Sequence, residues 1–312
     1  MKEDRRQKKS GSKALLTVLL VIFAGIFIFA LTKLIPIVTE YERGKDIYDD
    51  VRESFTIPAN EHTVIERTTR STEEATEPAE PEPDDGIVRH IWPDQSGYEH
   101  EKQLRFLHTT FDYILVPMYA LDMSALQQIN SDVRGWIQID GTHVDYPIVQ
   151  GENNEKYLRA AITGEANNAG SIFIDYRIDT PFNTKNTIIY GHNQRNSQMF
   201  HDLLLYENEG YYKDHPYIKV FTTDGEILLY RVFSAYYMTN TYTYKYKFPS
   251  DEVYQKYIDY MMGESIWFMG TKPTVDREVL TLSTCTNQFD DRRFVVHGVL
   301  VSRQKRKAAE KT

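Results

Sequence analysis

The pattern of apolar and polar positions divides the chain into successive stretches. Residues 14–31, ALLTVLLVIFAGIFIFAL, form an apolar run of 18 residues without a charge, about 27 Å long as a helix. Apolar character resumes after Lys33 as LIPIV, so a span over 14–35 crosses a bilayer with Lys33 snorkelling to the interface. The run has no polar face, which argues against a core helix. Residues 39–54, TEYERGKDIYDDVRES, are charged and predict a short helix on the outer face. Residues 56–96 predict an extended spacer: STEEATEPAEPEPDD alone holds seven acidic residues and three prolines, a composition that disfavours a packed core. Residues 97–130 return to helical spacing, with Pro117 as a break and Ser124 as N-cap.

From Val133 the period shortens. GWIQIDGTHVDYPIVQG (135–151) predicts two short strands about the Asp140-Gly141 turn. SIFIDYR (171–177), NTIIYGHN (186–193), YIKVFTT (217–223), EILLYRVFSAYYM (226–238), EVLTLSTC and RFVVHGVLV predict further strands. Short helices intervene at 199–207 and 250–262. The second has Ser250 as cap, two acids in its first turn and apolar pairs 253/254, 257/258 and 261/262 on one side. Many strands, few helices and no βαβ rhythm predict a closed or nearly closed barrel.

Charge adds an orientation. The first 13 residues carry six basic and two acidic groups, so the rest of the chain, whose total is -9, carries -13. A basic flank before the apolar span predicts a retained signal anchor with the N-terminus cytoplasmic and the remainder outside; a cleaved signal peptide is the alternative, with a shorter apolar region than this one. The acidic balance gives no support to nucleic-acid binding. The expected organisation is a cytoplasmic basic tail (1–13), a transmembrane anchor (14–35), a juxtamembrane segment and acidic linker (36–96), a folded barrel domain with N-terminal helices (97–302) and a basic tail (303–312).

There is one cysteine, so no internal disulfide can form, and the thiol is either buried filler or a reactive group. In VLTLSTC, Val279, Thr281, Ser283 and Cys285 share one face and Leu280, Leu282 and Thr284 the other. Cys285 ends its strand before the polar loop TNQFDD, and the returning strand opens at Arg293. That arginine can reach the thiol, favour thiolate and hydrogen-bond an oxyanion, while Arg292 suits a surface pairing with Asp290 or Asp291. A thiol with an ordinary pKa is only about 3% ionised at pH 7, so a nucleophilic cysteine needs a histidine partner. His62, His90 and His100 lie in or beside the linker. His297 sits inside a strand, where a structural role fits. His192 follows a strand, after Tyr190-Gly191, at the same kind of edge as Cys285.

TLSTC at 281–285 with an arginine eight residues on, together with NTIIYGHN at 186–193, resembles the signature segments of sortases, membrane-anchored cysteine transpeptidases of Gram-positive bacteria. GWIQIDGTHVDYPIVQ and GSIFIDYR are also similar to the family, and the likeness covers roughly residues 124–302. The helix-containing stretch between YRVFSAYYM and TLSTC resembles class B. The resemblance implies a mainly β fold: a closed eight-stranded sortase-type barrel preceded by N-terminal helices, with a helical insertion before the cysteine strand. It implies that Cys285 attacks the threonine carbonyl of an NPxTG or NPQTN-like sorting motif at the C-terminus of secreted surface proteins. His192 would be acid and base, Arg293 the oxyanion and peptide holder, and Ser283 and Thr284 would line the groove. A peptidoglycan cross-bridge amine would resolve the thioacyl enzyme. A pilin lysine as acceptor, and a non-catalytic anchored binding module, are the alternatives. Neither metal nor cofactor is implied.

Overall fold

The structure, a computed structural model, describes residues 2–58, 65–67, 119–194, 196–239, 241–285 and 292–306. It divides into two compact units, residues 1–47 and 48–312. The first lies within helix α1 (Lys2–Phe55). Its apolar stretch is exposed rather than packed into a core, and it is long and apolar enough to cross a membrane.

The second unit is built on a barrel. After two short strands, β1 (Thr56–Pro58) and β2 (Ile65–Arg67), come β3 (Tyr119–Leu121), helix α2 (Met123–Ile129), β4 (Val133–Gln138), β5 (Asp145–Val149), β6 (Ile172–Ile174) and β7 (Asn186–Gly191). A 3-10 turn at His201–Glu207 and helix α3 (Glu209–Asp214) lead to β8 (Tyr217–Thr222) and β9 (Glu226–Met238). Helix α4 (Asp251–Glu264), β10 (Val279–Cys285) and β11 (Arg293–Arg306) follow. The sheet runs β10-β7-β6-β5-β4-β8-β9-β11, and pairing of β10 with β11 closes it into an eight-stranded barrel. β5–β6 and β10–β7 are parallel; the other barrel pairs are antiparallel. β2 adds to the far end of β11, and β1 pairs with β3.

Strand alternation sorts two cores. Leu280, Leu282, Phe294 and Val296 fill the barrel with Ile172, Ile188 and Ile218. On the outer face Val279, Val295 and Val299 meet Tyr254, Tyr257, Ile258 and Met261 of α4, the side that its apolar spacing predicts. Ser250 caps α4 as expected, its hydroxyl accepting from Val253 N at 3.3 Å.

Four local expectations change. The N-cap of α2 is Asp122, whose carboxylate accepts from Ala125 N at 2.9 Å and from the Ser124 hydroxyl; the carboxylate one residue before the helix outcompetes the hydroxyl inside it. Of the helical stretch 97–130, only 123–129 is helical among the described residues, and 119–121 is strand. Most of the linker lies outside the described residues. At the juxtamembrane end, Tyr48 and Val51 are buried in the barrel-side core, and the compact unit begins at Tyr48. At the other end β11 continues to Arg306, and Arg303 bonds Glu226, Glu278 (2.7 Å) and the Phe182 carbonyl (2.6 Å).

Candidate active site

The site forms where β10 ends. On its antiparallel side Cys285 is the register partner of Arg293, the last rung of the β10–β11 ladder. The backbone register therefore sets Arg293 directly across from Cys285, while Arg292 is one residue off and exposed. On the parallel side the last rung is Thr284 with Gly191, and one residue further along each strand stand Cys285 and His192. The two neighbours of β10 thus bring the backbone of Arg293 and of His192 beside the end of the cysteine strand.

Gly191 precedes the histidine for a packing reason rather than a turn. A Cβ there would lie 2.5 Å from Ile172 Cδ1 and 2.6 Å from Phe200 Cδ2, so only glycine fits. The chain then folds back through Ser197 and Met199, both with positive φ, and Phe200 N donates to the His192 carbonyl at 2.9 Å. The half-buried His192 ring places Nε2 2.6 Å from the Leu158 carbonyl oxygen. A carbonyl can only accept, so Nε2 carries the proton and Nδ1 is the nitrogen left to exchange one.

Ser283 stands two residues before Cys285 in β10, and its hydroxyl meets Tyr244 Oη at 2.7 Å. Thr284 is on the opposite face, fully buried, its Oγ1 without a hydrogen-bond partner among the described residues. Tyr190, the rung partner of Ser283, packs edge-on to Tyr244 and donates to Asp175 Oδ2 at 2.9 Å. Burial works against the charge of Asp175, but hydrogen bonds from Arg177 Nε, Nη2 and N, and from Tyr190, outweigh it and hold the carboxyl below its ordinary range. Sequence patterns give no signal for Tyr244, Asp175 or the Leu158 carbonyl, because each joins the site through long-range packing.

His297 is structural, as its strand position predicts. It is fully buried, stacks on Tyr236, lies 3.0 Å from Thr281 Oγ1, and burial pushes it down to about 3. His62, His90 and His100 lie outside the described residues. Among the described residues no group of three or more His, Cys, Asp or Glu is placed to hold a metal.

The sortase domain family model matches residues 137–301, which include every element just described around β10. The chain belongs to the sortase family, class B. Sortase B of Listeria monocytogenes is 34% identical over 187 residues, covering 58% of this chain and 75% of that protein. The crystal structure of sortase B from B. anthracis superposes with a TM-score of 0.54 at 36% identity, covering 58% of this chain and 84% of that one. A Staphylococcus aureus sortase B–substrate complex does so with a TM-score of 0.54 at 33% identity, covering 58% and 84%. The closed eight-stranded mixed barrel with added helices matches these folds. Sortases are cysteine transpeptidases acting on sorting-motif substrates and amine nucleophiles, and this sortase is one.

Proposed function

We propose that Cys285, His192 and Arg293 carry the transpeptidation and that the substrate is an NPxTG or NPQTN-like sorting motif. The observation that carries this reading is the register: one strand end holds the chain's only cysteine, flanked on either side by an arginine and a histidine. His192 Nδ1 takes the Cys285 thiol proton, and the thiolate so formed attacks the backbone carbonyl carbon of the motif threonine. Arg293, opposite in the ladder, hydrogen-bonds the oxyanion that develops. Collapse of the tetrahedral intermediate breaks the C–N bond, and imidazolium at His192 gives its Nδ1 proton to the departing amine. The thioacyl enzyme is then attacked by a peptidoglycan cross-bridge amine, which His192 deprotonates as it adds; thiolate leaves and the new amide is released. Ser283, held by Tyr244, lines the groove on the cysteine face, and Thr284 contributes from the barrel side.

The apolar span at 14–35 anchors the enzyme, with its basic flank inside and the catalytic domain outside, where sorting substrates emerge. Cleavage of a fluorogenic NPxTG-type peptide by the full chain tests the assignment. Cys285→Ala is expected to abolish cleavage; a fully active variant would overturn the reading. Transfer to a cross-bridge mimic, rather than ladders with pilin lysines, is the expected second product.

A further inference from the structure

We infer that Tyr48, at the end of α1, is a positioning residue for His192, acting through the Gly170–Ser171 peptide. The inference rests on the catalytic reading of His192 given above. Tyr48 is buried, packs edge-on to Tyr146, and its hydroxyl donates to the Gly170 carbonyl at 2.6 Å while lying 3.0 Å from Ser171 Oγ. Burial raises the phenol well above its ordinary pKa, which favours the protonated, donating form.

Gly170 links this contact to the histidine. Its φ is +61°, and a Cβ on it would stand 2.7 Å from the Tyr157 carbonyl oxygen, 2.8 Å from that of Leu158 and 2.9 Å from His192 Cδ2. Its Cα therefore lies tight against the imidazole and against the carbonyl that holds Nε2. The surrounding backbone is tied on every side: Gly170 N donates to Asn167 O, Ser171 N to Tyr157 O and Ser171 Oγ to Ala160 O. The connection between β5 and β6 thus presents the Leu158 oxygen to Nε2, buttresses the ring edge at Cδ2, and is fixed from behind by Tyr48. Displacing the Gly170 carbonyl lets the ring turn and frees Nε2 from its acceptor, so Nδ1 no longer points one way. Misplacing a catalytic group by about 1 Å costs on the order of a hundredfold in rate.

The test is Tyr48→Phe in the full chain in detergent micelles, which keeps the ring and removes only the donor. With the NPxTG-type peptide, kcat is expected to fall about 10- to 100-fold with KM within about twofold. In protein labelled with 15N-histidine, wild-type His192 should show a protonated Nε2 and an unprotonated Nδ1, and Tyr48→Phe should shift or average these signals. A merely structural tyrosine would lower the melting temperature and leave both readouts unchanged, and that result overturns the inference. If Tyr48→Phe does not fold, Gly170→Ala, which drives a methyl at the ring from the same loop, must give the same kcat loss and signal shift; wild-type values there also overturn it. His192→Ala separates the two levels: if it retains full turnover the catalytic assignment itself falls, whereas its inactivity beside an unperturbed Tyr48→Phe removes only the positioning role.

Discussion

Cys285 and Arg293 close the last rung of a ladder, and at the residue scale that register separates two adjacent arginines. Arg293→Ala should lower kcat/KM at least about a hundredfold, the cost of removing an oxyanion donor, whereas Arg292→Ala should stay within about threefold. Peptide cleavage measured on both variants decides between them, and the reverse ranking would reassign the guanidinium. The sequence favours Arg293 because it opens the returning strand, but a strand pattern gives parity and not register, and the paired backbone supplies that register. His297 gives a second residue-scale expectation. Burial depresses it from 6.5 to about 3, so it is neutral in the fold while the unfolded chain binds a proton as pH drops below about 6.5. Between these values the unfolded state holds more protons, and stability falls as pH falls. Thermal melts from pH 7 to 4 should therefore show a steeper loss for the wild type than for His297→Gln, even though that variant starts lower at pH 7.

At the scale of elements, α4 and the 3-10 turn Thr241–Tyr244 are fastened to the barrel by a buried polar network. Asn186 Nδ2 donates to Tyr257 Oη (2.9 Å) and to the Lys245 carbonyl (2.8 Å), Tyr257 donates to the Thr243 carbonyl (2.6 Å), and Thr281 Oγ1 donates to Asn186 Oδ1 (2.8 Å). Tyr257→Phe removes the central hydroxyl and leaves the Thr243 carbonyl without that donor, which should cost about 1–3 kcal/mol in denaturant unfolding. Because the same turn carries Tyr244 to Ser283, peptide cleavage should weaken as well; unchanged stability would show the network to be dispensable. Helix α4 is legible in the sequence because its cap and apolar stripe are local. The polar network beneath it is not, since Asn186, Thr243, Tyr257 and Thr281 meet only after the barrel closes.

For the whole molecule, the barrel is readable strand by strand because half-buried strands alternate, and all eight barrel strands fall within or beside the predicted runs. The closed barrel expected from the strand-rich pattern and the resemblance is the fold that forms; the parallel pairing of β10 with β7 that completes it is long-range and is not readable from local alternation. The boundary of the catalytic unit is also hidden: the charged segment around Tyr48 looks solvated in sequence, yet one tyrosine and one valine from it enter the core. We therefore expect deletion of residues 68–96 to leave soluble-peptide cleavage within about twofold, as for a spacer, while removal of everything before residue 56 lowers it sharply. The central claim is that Cys285 forms a thioacyl bond to the sorting motif. Intact and peptide-mapping mass spectrometry of the enzyme trapped with an NPxTG-type peptide, without acceptor amine, tests it most directly. The account predicts a single adduct of the acyl fragment on Cys285, lost in Cys285→Ala and released by a cross-bridge amine; an adduct on another residue, or cleavage with no cysteine adduct in any trapped sample, would contradict it.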